Sequence, residues 1–367
     1  MTNRSYLATL PYLLVPLLLF AFEAHAEPYL AVQTGFKCGQ CHVNPTGGGE
    51  RTVFGNVFAQ TQLAANHLDT GGDVWTGEIN RFLSIGGDVR GQAQFTKQPN
   101  SSSTDDFTLE QARVYASANV IPQRLFVYVD EQVAPGGALN REAYGVYWSA
   151  NHDWYIKAGQ MYLPFGFRLQ DQTALVQLLR VTGINMTAPD QGVEFGVERG
   201  HWDAQLAITN GTASGPEVDH GKQYSSQLIY VESFWRVGLA ANINNAAAGN
   251  KLAGGLFGGL RTGPVSWLGQ VDVIDDKSLP VSTGRQLATL LEANWRIAQG
   301  HNLKLTHEYL DPNRTVPNDG QTRYSLVYEM TPIQYVQIRA GFRYSDGIPQ
   351  SPAQHLKLGF VELHGFF

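Results

Sequence analysis

Cys38, Cys41 and His42 stand together in the run Cys38-Gly39-Gln40-Cys41-His42. A CxxCH run is the attachment pattern of c-type haem. Two thiols a short loop apart can add across the two vinyl groups on one edge of a haem. The histidine that follows is then held under the iron as its proximal ligand. Cys38 and Cys41 are the only two cysteines in 367 residues. The other readings are a lone disulfide, half of a zinc site, or a chance pair. A structural zinc site takes four ligands, and the chain has no second CxxC and no HxxxH. A thioredoxin-type CxxC needs a βαβ setting, which the surrounding pattern lacks. One covalent haem c on Cys38 and Cys41, with His42 on the iron, is the expectation.

The second axial position has weaker candidates. Apart from Met1 the methionines are Met161, Met186 and Met330, all far along the chain. His67, 25 residues past His42, is a distal candidate, and it reads equally well as a solvated helix-end histidine. His364, on the last predicted strand, is an alternative distal candidate, because its phase points it into the lumen near the mouth where the haem segment enters. An open iron site is the third possibility.

Three stretches must position these residues. Residues 1–26 read as a secretory signal: Arg4 gives the positive start, Leu13 to Phe22 the short apolar core, and Ala24-His25-Ala26 the cleavage pattern. The apolar core is too short to span a bilayer as a helix. Residues 27–78 form the haem segment. Within it Asn44-Pro45-Thr46-Gly47-Gly48-Gly49 is a turn. Val53, Phe54, Val57, Phe58 and Leu63 make a short amphipathic helical pattern, and Asp69-Thr70-Gly71-Gly72-Asp73 is a linker. So few residues cannot bury a core alone; a haem, and packing against a larger body, would supply one.

From residue 79 to 367 the hydrophobic period becomes two. Over 81–96, Leu83, Ile85, Val89, Ala93 and Phe95 share one face, and Ser84, Asp88, Arg90, Gln92 and Gln94 the other. Such alternation over about ten residues marks a transmembrane β-barrel strand, apolar out and polar in. The pattern recurs in sixteen candidate strands, among them 110–121, 154–165, 285–298 and 354–367. Their connections alternate long and short, as in bacterial barrels with long extracellular loops and short periplasmic turns. The link at 97–107 is long, Pro122-Gln123 tight, 166–190 very long, Arg199-Gly200-His201 tight, 275–284 long and 346–353 long. A β-sandwich, the other fold the composition allows, has no reason to alternate in this way. The expected fold is mainly β: an antiparallel transmembrane barrel of about sixteen strands with a small N-terminal haem-binding segment. The final strand ends in Phe367, and the phase change between Leu358 and Val361 predicts a bulge near Gly359. Twelve charged residues fall on the inward face, Glu110, Arg236 and Arg343 among them, as expected of a wet lumen. Some of the arginines could pair haem propionates bidentately.

Composition agrees. Charged residues make up 16% and the net charge is −6, so no basic footprint for nucleic acid exists. Together with the barrel pattern, low charge and abundant glycine and aromatics suggest the outer membrane of a Gram-negative bacterium.

Two resemblances rest on particular residues. Ala158-Gly159-Gln160-Met161-Tyr162-Leu163-Pro164-Phe165-Gly166, with Gln111-Ala112-Arg113-Val114-Tyr115, resembles the sixteen-stranded phosphate-selective (O/P-type) porins. The full layout, and Gln33-Thr34-Gly35-Phe36-Lys37-Cys38 through Phe54-Gly55, resembles the fused outer-membrane monohaem cytochrome–porins of the iron-oxidising type. That resemblance implies electron transfer between an extracellular donor or acceptor, Fe(II) above all, and a periplasmic carrier such as a soluble c-type cytochrome. It also implies outer-membrane lipid as the barrel's surroundings. The alternatives are a solute or anion porin with a haem-bearing plug, and a haem peroxidase with an open iron site.

Overall fold

The computed structural model describes residues 27–69, 71–72, 74–179, 188–247, 249–279, 284–349, 351 and 354–367. The predicted signal, 1–26, lies outside the described residues, as do Thr70 and Asp73 of the linker and parts of the connections at 180–187, 280–283, 350 and 352–353.

The strands are β1 (Glu78–Asn80), β2 (Leu83–Lys97), β3 (Thr104–Ile121), β4 (Leu125–Ala134), β5 (Leu139–Trp148), β6 (Trp154–Met161), β7 (Asp190–Arg199), β8 (Trp202–Thr209) and β9 (Gln223–Val231). They continue with β10 (Trp235–Asn244), β11 (Lys251–Thr262), β12 (Val265–Asp276), β13 (Arg285–Ala298), β14 (His301–Asp311), β15 (Gln321–Ile333), β16 (Val336–Asp346) and β17 (Leu356–Phe366). Short β1 is an appendage on β2. The other sixteen pair antiparallel with their chain neighbours, and β17 pairs with β2 from Lys357↔Lys97 to Phe366↔Asp88. That seam closes the barrel and leaves no edge strand.

Pleating divides each strand between two solvents. Along β12, Ser266, Leu268, Gln270 and Asp272 are buried, while Trp267, Val271 and Val273 stand exposed. Leu239, Leu305 and Leu363, exposed by 57–60%, belong to the same outward band. A continuous apolar band on a closed barrel is a lipid-facing surface, and barrels of this type are outer-membrane structures. Four of the tight links are two-residue turns, each holding one residue at positive φ: Gly200, Gly263, Gly300 and Tyr335. Gly200 and Gly263 stand first in their turns, the arrangement that matches the twist of paired strands, whereas Gly300 and Tyr335 stand second, beside register shifts in β13 and β15.

Four sequence expectations are corrected. The first link is only 98–103, because β2 and β3 pair onward through Phe95↔Asp105 and Thr96↔Thr104. A ladder needs only backbone N–H and C=O, so polar residues can continue it above the lipid. β6 stops at Met161, not 165; Pro164 has no N–H to give a ladder, and the chain turns into the lumen instead. The register of β17 runs unbroken through Gly359 against both neighbours. The phase change reflects apolar residues on the inward face, not a bulge: Phe360 is buried there under the Arg343 guanidinium, 5.1 Å from its ring centroid. Glu110 is exposed, skipped by the irregularity where Gln111 pairs Arg90 and Leu109 pairs Gly91.

Candidate functional site

The N-terminal segment lies within the barrel at the end of the tight turns. Helix α1 (Pro28–Thr34) carries Pro at its first position, where the missing N–H costs nothing. It ends at Gly35, whose φ of 76° allows the close approach to the Ser233 backbone. Its Val32 meets Leu268 and the bare backbone of Gly259 on the wall. Gln33 takes hydrogen bonds from Arg261 and Ser266, each 2.8 Å. Glu27, just before the helix, pairs with Lys304 at 2.9 Å.

One helical turn, α2 (Cys38–Cys41), carries both thiols. Three-residue spacing puts them on one face of that turn. His42 then leaves in extended conformation and bridges antiparallel to Arg51, flanked by Val43 N–H to Glu50 O at 2.9 Å and Thr52 N–H to Cys41 O at 3.0 Å. The turn of this small ribbon is Pro45–Gly49. Glu50 accepts from Ser117 at 2.9 Å and its N–H donates to the Tyr128 hydroxyl at 3.2 Å. Asn44 donates to both oxygens of Glu142, at 3.1 and 2.9 Å. Helix α3 (Val53–Phe58), capped by the Thr52 hydroxyl, continues into a wide turn at Ala59–Leu63. Gln60 fixes that turn to Trp75 and to Tyr335. Residues 65–68 then run along Thr331–Gln334 on the barrel rim.

The predicted attachment residues converge. Cys38, Cys41 and His42 all line one chamber of about 950 Å³, mouth included. Its walls are mainly apolar, with Leu30, Phe36, Phe58, Phe167, Ile229 and Phe257 among them. Both thiols are free. Burial pushes the Cys38 thiol up to about 11 and raises Cys41 as well. Burial, with Arg51 nearby, lowers His42 to about 3, so its imidazole is neutral. Its Nδ1 is buried without a hydrogen-bond partner. A second, open cleft reaches His42 past Thr76, Trp148 and His152.

A loop covers the chamber from the other side. After β6, residues 162–179 fold into the lumen through Gly166, where any side chain would strike Gln270. Phe165, Leu169, Leu175 and Val176 pack on inward Ile229, Phe257, Ile274 and Leu290. Arg168 holds Gly47 O at 2.8 Å and faces Glu142 at 3.5 Å. Asp171 pairs with Arg323 at 3.0 Å and with Arg343 at 2.6 Å. The loop was readable only as a long connection. Arg168, Glu142 and Glu50, which join it and the CxxCH ribbon to the wall, carried no local signal.

Neither distal candidate lines the chamber. His67 is exposed on the rim, beside Leu68 and its bonds to Gln334. His364 is wholly buried in β17, with Nδ1 3.1 Å from Gln337.

No family model and no curated protein sequence matches the chain. Solved structures do. The anion-selective porin from Comamonas acidovorans is 11% identical, with a TM-score of 0.59 over 78% of this chain and 99% of that one. OmpT, an outer membrane protein of Vibrio cholerae, is 12% identical with a TM-score of 0.61 over 78% and 97%. OprB of Pseudomonas putida is 8% identical with a TM-score of 0.61 over 84% and 100%. At such identities the likeness speaks for the fold, and the fold of this chain is that of the outer-membrane porins.

Proposed function

We propose that segment 27–78 holds one covalent haem c inside a porin-type barrel, and that the protein passes single electrons between the periplasm and the cell exterior. The observation that carries this reading is the convergence of Cys38, Cys41 and His42 on one mainly apolar chamber within the lumen. The residues suit the group. Cys38 and Cys41 would hold it by thioethers and His42 would ligate its iron, while the haem would supply one-electron chemistry. A neutral imidazole is the form that binds metal. Gly47 would, with any side chain, crowd Cys38, its Cβ falling 3.4 Å from Sγ; as glycine it leaves that face of the chamber open. The apolar wall excludes water and thereby tunes the potential. A periplasmic c-type cytochrome is the natural exchange partner on the side of the tight turns, and Fe(II) the first donor to try.

The likeness to porins supports a second reading, a solute or anion channel in which 27–78 is a plug. The two are separated by purifying the protein in detergent, staining a denaturing gel for haem, and titrating its optical spectrum. A haem band on the denatured chain, reduced by Fe(II), supports iron oxidation. Reduction by dithionite but not Fe(II) supports another donor or outward flow. Absence of covalent haem removes the electron-transfer reading and leaves the channel.

A further inference from the structure

We propose that Arg236 is the carboxylate anchor of the chamber, pairing with a propionate of the haem bound at Cys38 and Cys41. The inference rests on the haem reading above. Arg236 lies on β10, lines the chamber and is 7% exposed. Its Nη2 donates to Ala31 O and Phe36 O, both at 2.6 Å. Those carbonyls flank the bend between α1 and the CxxCH turn, so the guanidinium is fixed to the haem-bearing segment itself. Its Nε is buried with no hydrogen-bond partner. Among the described residues no carboxylate is in ion-pair contact with it; Asp203 acts on it only from beyond that distance.

A buried cation without an anion is costly, and such groups are normally paired. The other cations of the chamber are engaged differently. Arg168 faces Glu142 and holds Gly47 O. Lys37 donates to Trp202 O at 2.6 Å. Arg51 lies over the Phe366 ring, 5.2 Å from its centroid. Of these four, only Arg236 has a buried N–H without a hydrogen-bond partner. A guanidinium fork suits a carboxylate, and haem carries two on the edge away from its vinyl groups. Thioethers would hold the haem whether or not Arg236 is present, so its loss should alter electronics and not loading.

The test compares wild type with Arg236→Gln and Arg236→Lys, each purified with haem. Barrel folding is read by heat-modifiable gel mobility and loading by haem stain. Removing a cation beside the haem favours the oxidised, more positive state. Arg236→Gln is expected to lower the midpoint potential, raising the oxidised-to-reduced ratio at fixed ambient potential about tenfold, or 59 mV for one electron. The potential should also gain a pH dependence as the released propionate titrates. Arg236→Lys, which keeps charge and loses the fork, should shift the potential the same way by less, and it keeps the test open if the Gln variant does not fold. Folded, haem-loaded variants with wild-type potential and a wild-type pH profile would overturn the anchor and leave the haem reading standing. A wild type without covalent haem would overturn both.

Discussion

Gly55 shows what the CxxCH turn demands of its neighbours. It sits inside α3, where glycine costs about 1 kcal/mol against alanine. A Cβ there would land on the Cys41 carbonyl, which is backbone and cannot step aside. Gly55→Ala is therefore expected to destabilise docking of the segment by about 1–3 kcal/mol, the usual cost of overpacking. Gly72→Ala, with nothing within 4 Å of its Cβ, should be neutral. Limited proteolysis of residues 27–69 in the folded barrel measures both, and equal cleavage rates for the two variants would count against the contact. The CxxCH run itself was legible because the chemistry it suggests fixes its spacing. Gly55 was not, since its reason is a close approach across thirteen intervening residues. For the same reason Glu50, Glu142 and Arg168 read as ordinary polar residues until the fold brought them to the ribbon.

Between elements, the inward loop and its charged latch close the chamber toward the exterior. Asp171 bridges Arg323 and Arg343, Arg323 donates to Thr173 O at 3.0 Å, and Glu308 accepts from Leu175 N–H at 2.8 Å. Burial works against the Asp171 carboxylate, but Arg343 and Arg323 outweigh it and hold its pKa well below the usual carboxylate range. A carboxylate depressed in the folded state stabilises above its unfolded pKa, about 3.9, and loses that contribution only as pH falls through the lower folded value. Acidification from pH 8 to pH 4 should thus leave the latch shut, with single-channel conductance in planar bilayers unchanged. Asp171→Asn should free the loop at every pH and raise conductance. A conductance step between pH 8 and pH 5 in wild type would mean that another group holds the loop. The strands were legible because lipid and water impose a period of two. The loop was not. Its apolar residues pack on inward Ile229, Phe257, Ile274 and Leu290, places where the polar-in rule gives way, and pairwise packing of that kind leaves no periodic trace.

At the scale of the whole molecule, stability and permeability separate. The sixteen-stranded wall closes on itself through β17 and β2, and its apolar band needs only lipid. Leu239→Arg, on that band, should cost about 2–4 kcal/mol if it lies near the bilayer midplane, as read by refolding into vesicles at graded denaturant. Permeability depends on what fills the lumen. The segment is joined to the wall by Glu27 to Lys304, Asn44 to Glu142, Glu50 to Ser117, Gln33 to Ser266 and the strip 65–68 along Thr331–Gln334. Those attachments spread around the barrel and do not sit on one hinge. Few are needed by the wall itself: without Glu27, Lys304 still reaches Glu329 at 3.1 Å. A chain lacking residues 27–69 but retaining residues 1–26, the predicted signal, should therefore still insert and show heat-modifiable mobility. It should conduct ions as an open pore, whereas the intact protein should conduct little. Should intact protein and deletion conduct alike, the segment must leave the lumen in the membrane, and the channel reading would gain at the expense of electron transfer. Should the deletion fail to insert, the lumen contacts form part of the barrel's own fold, and plug and wall are one structural unit.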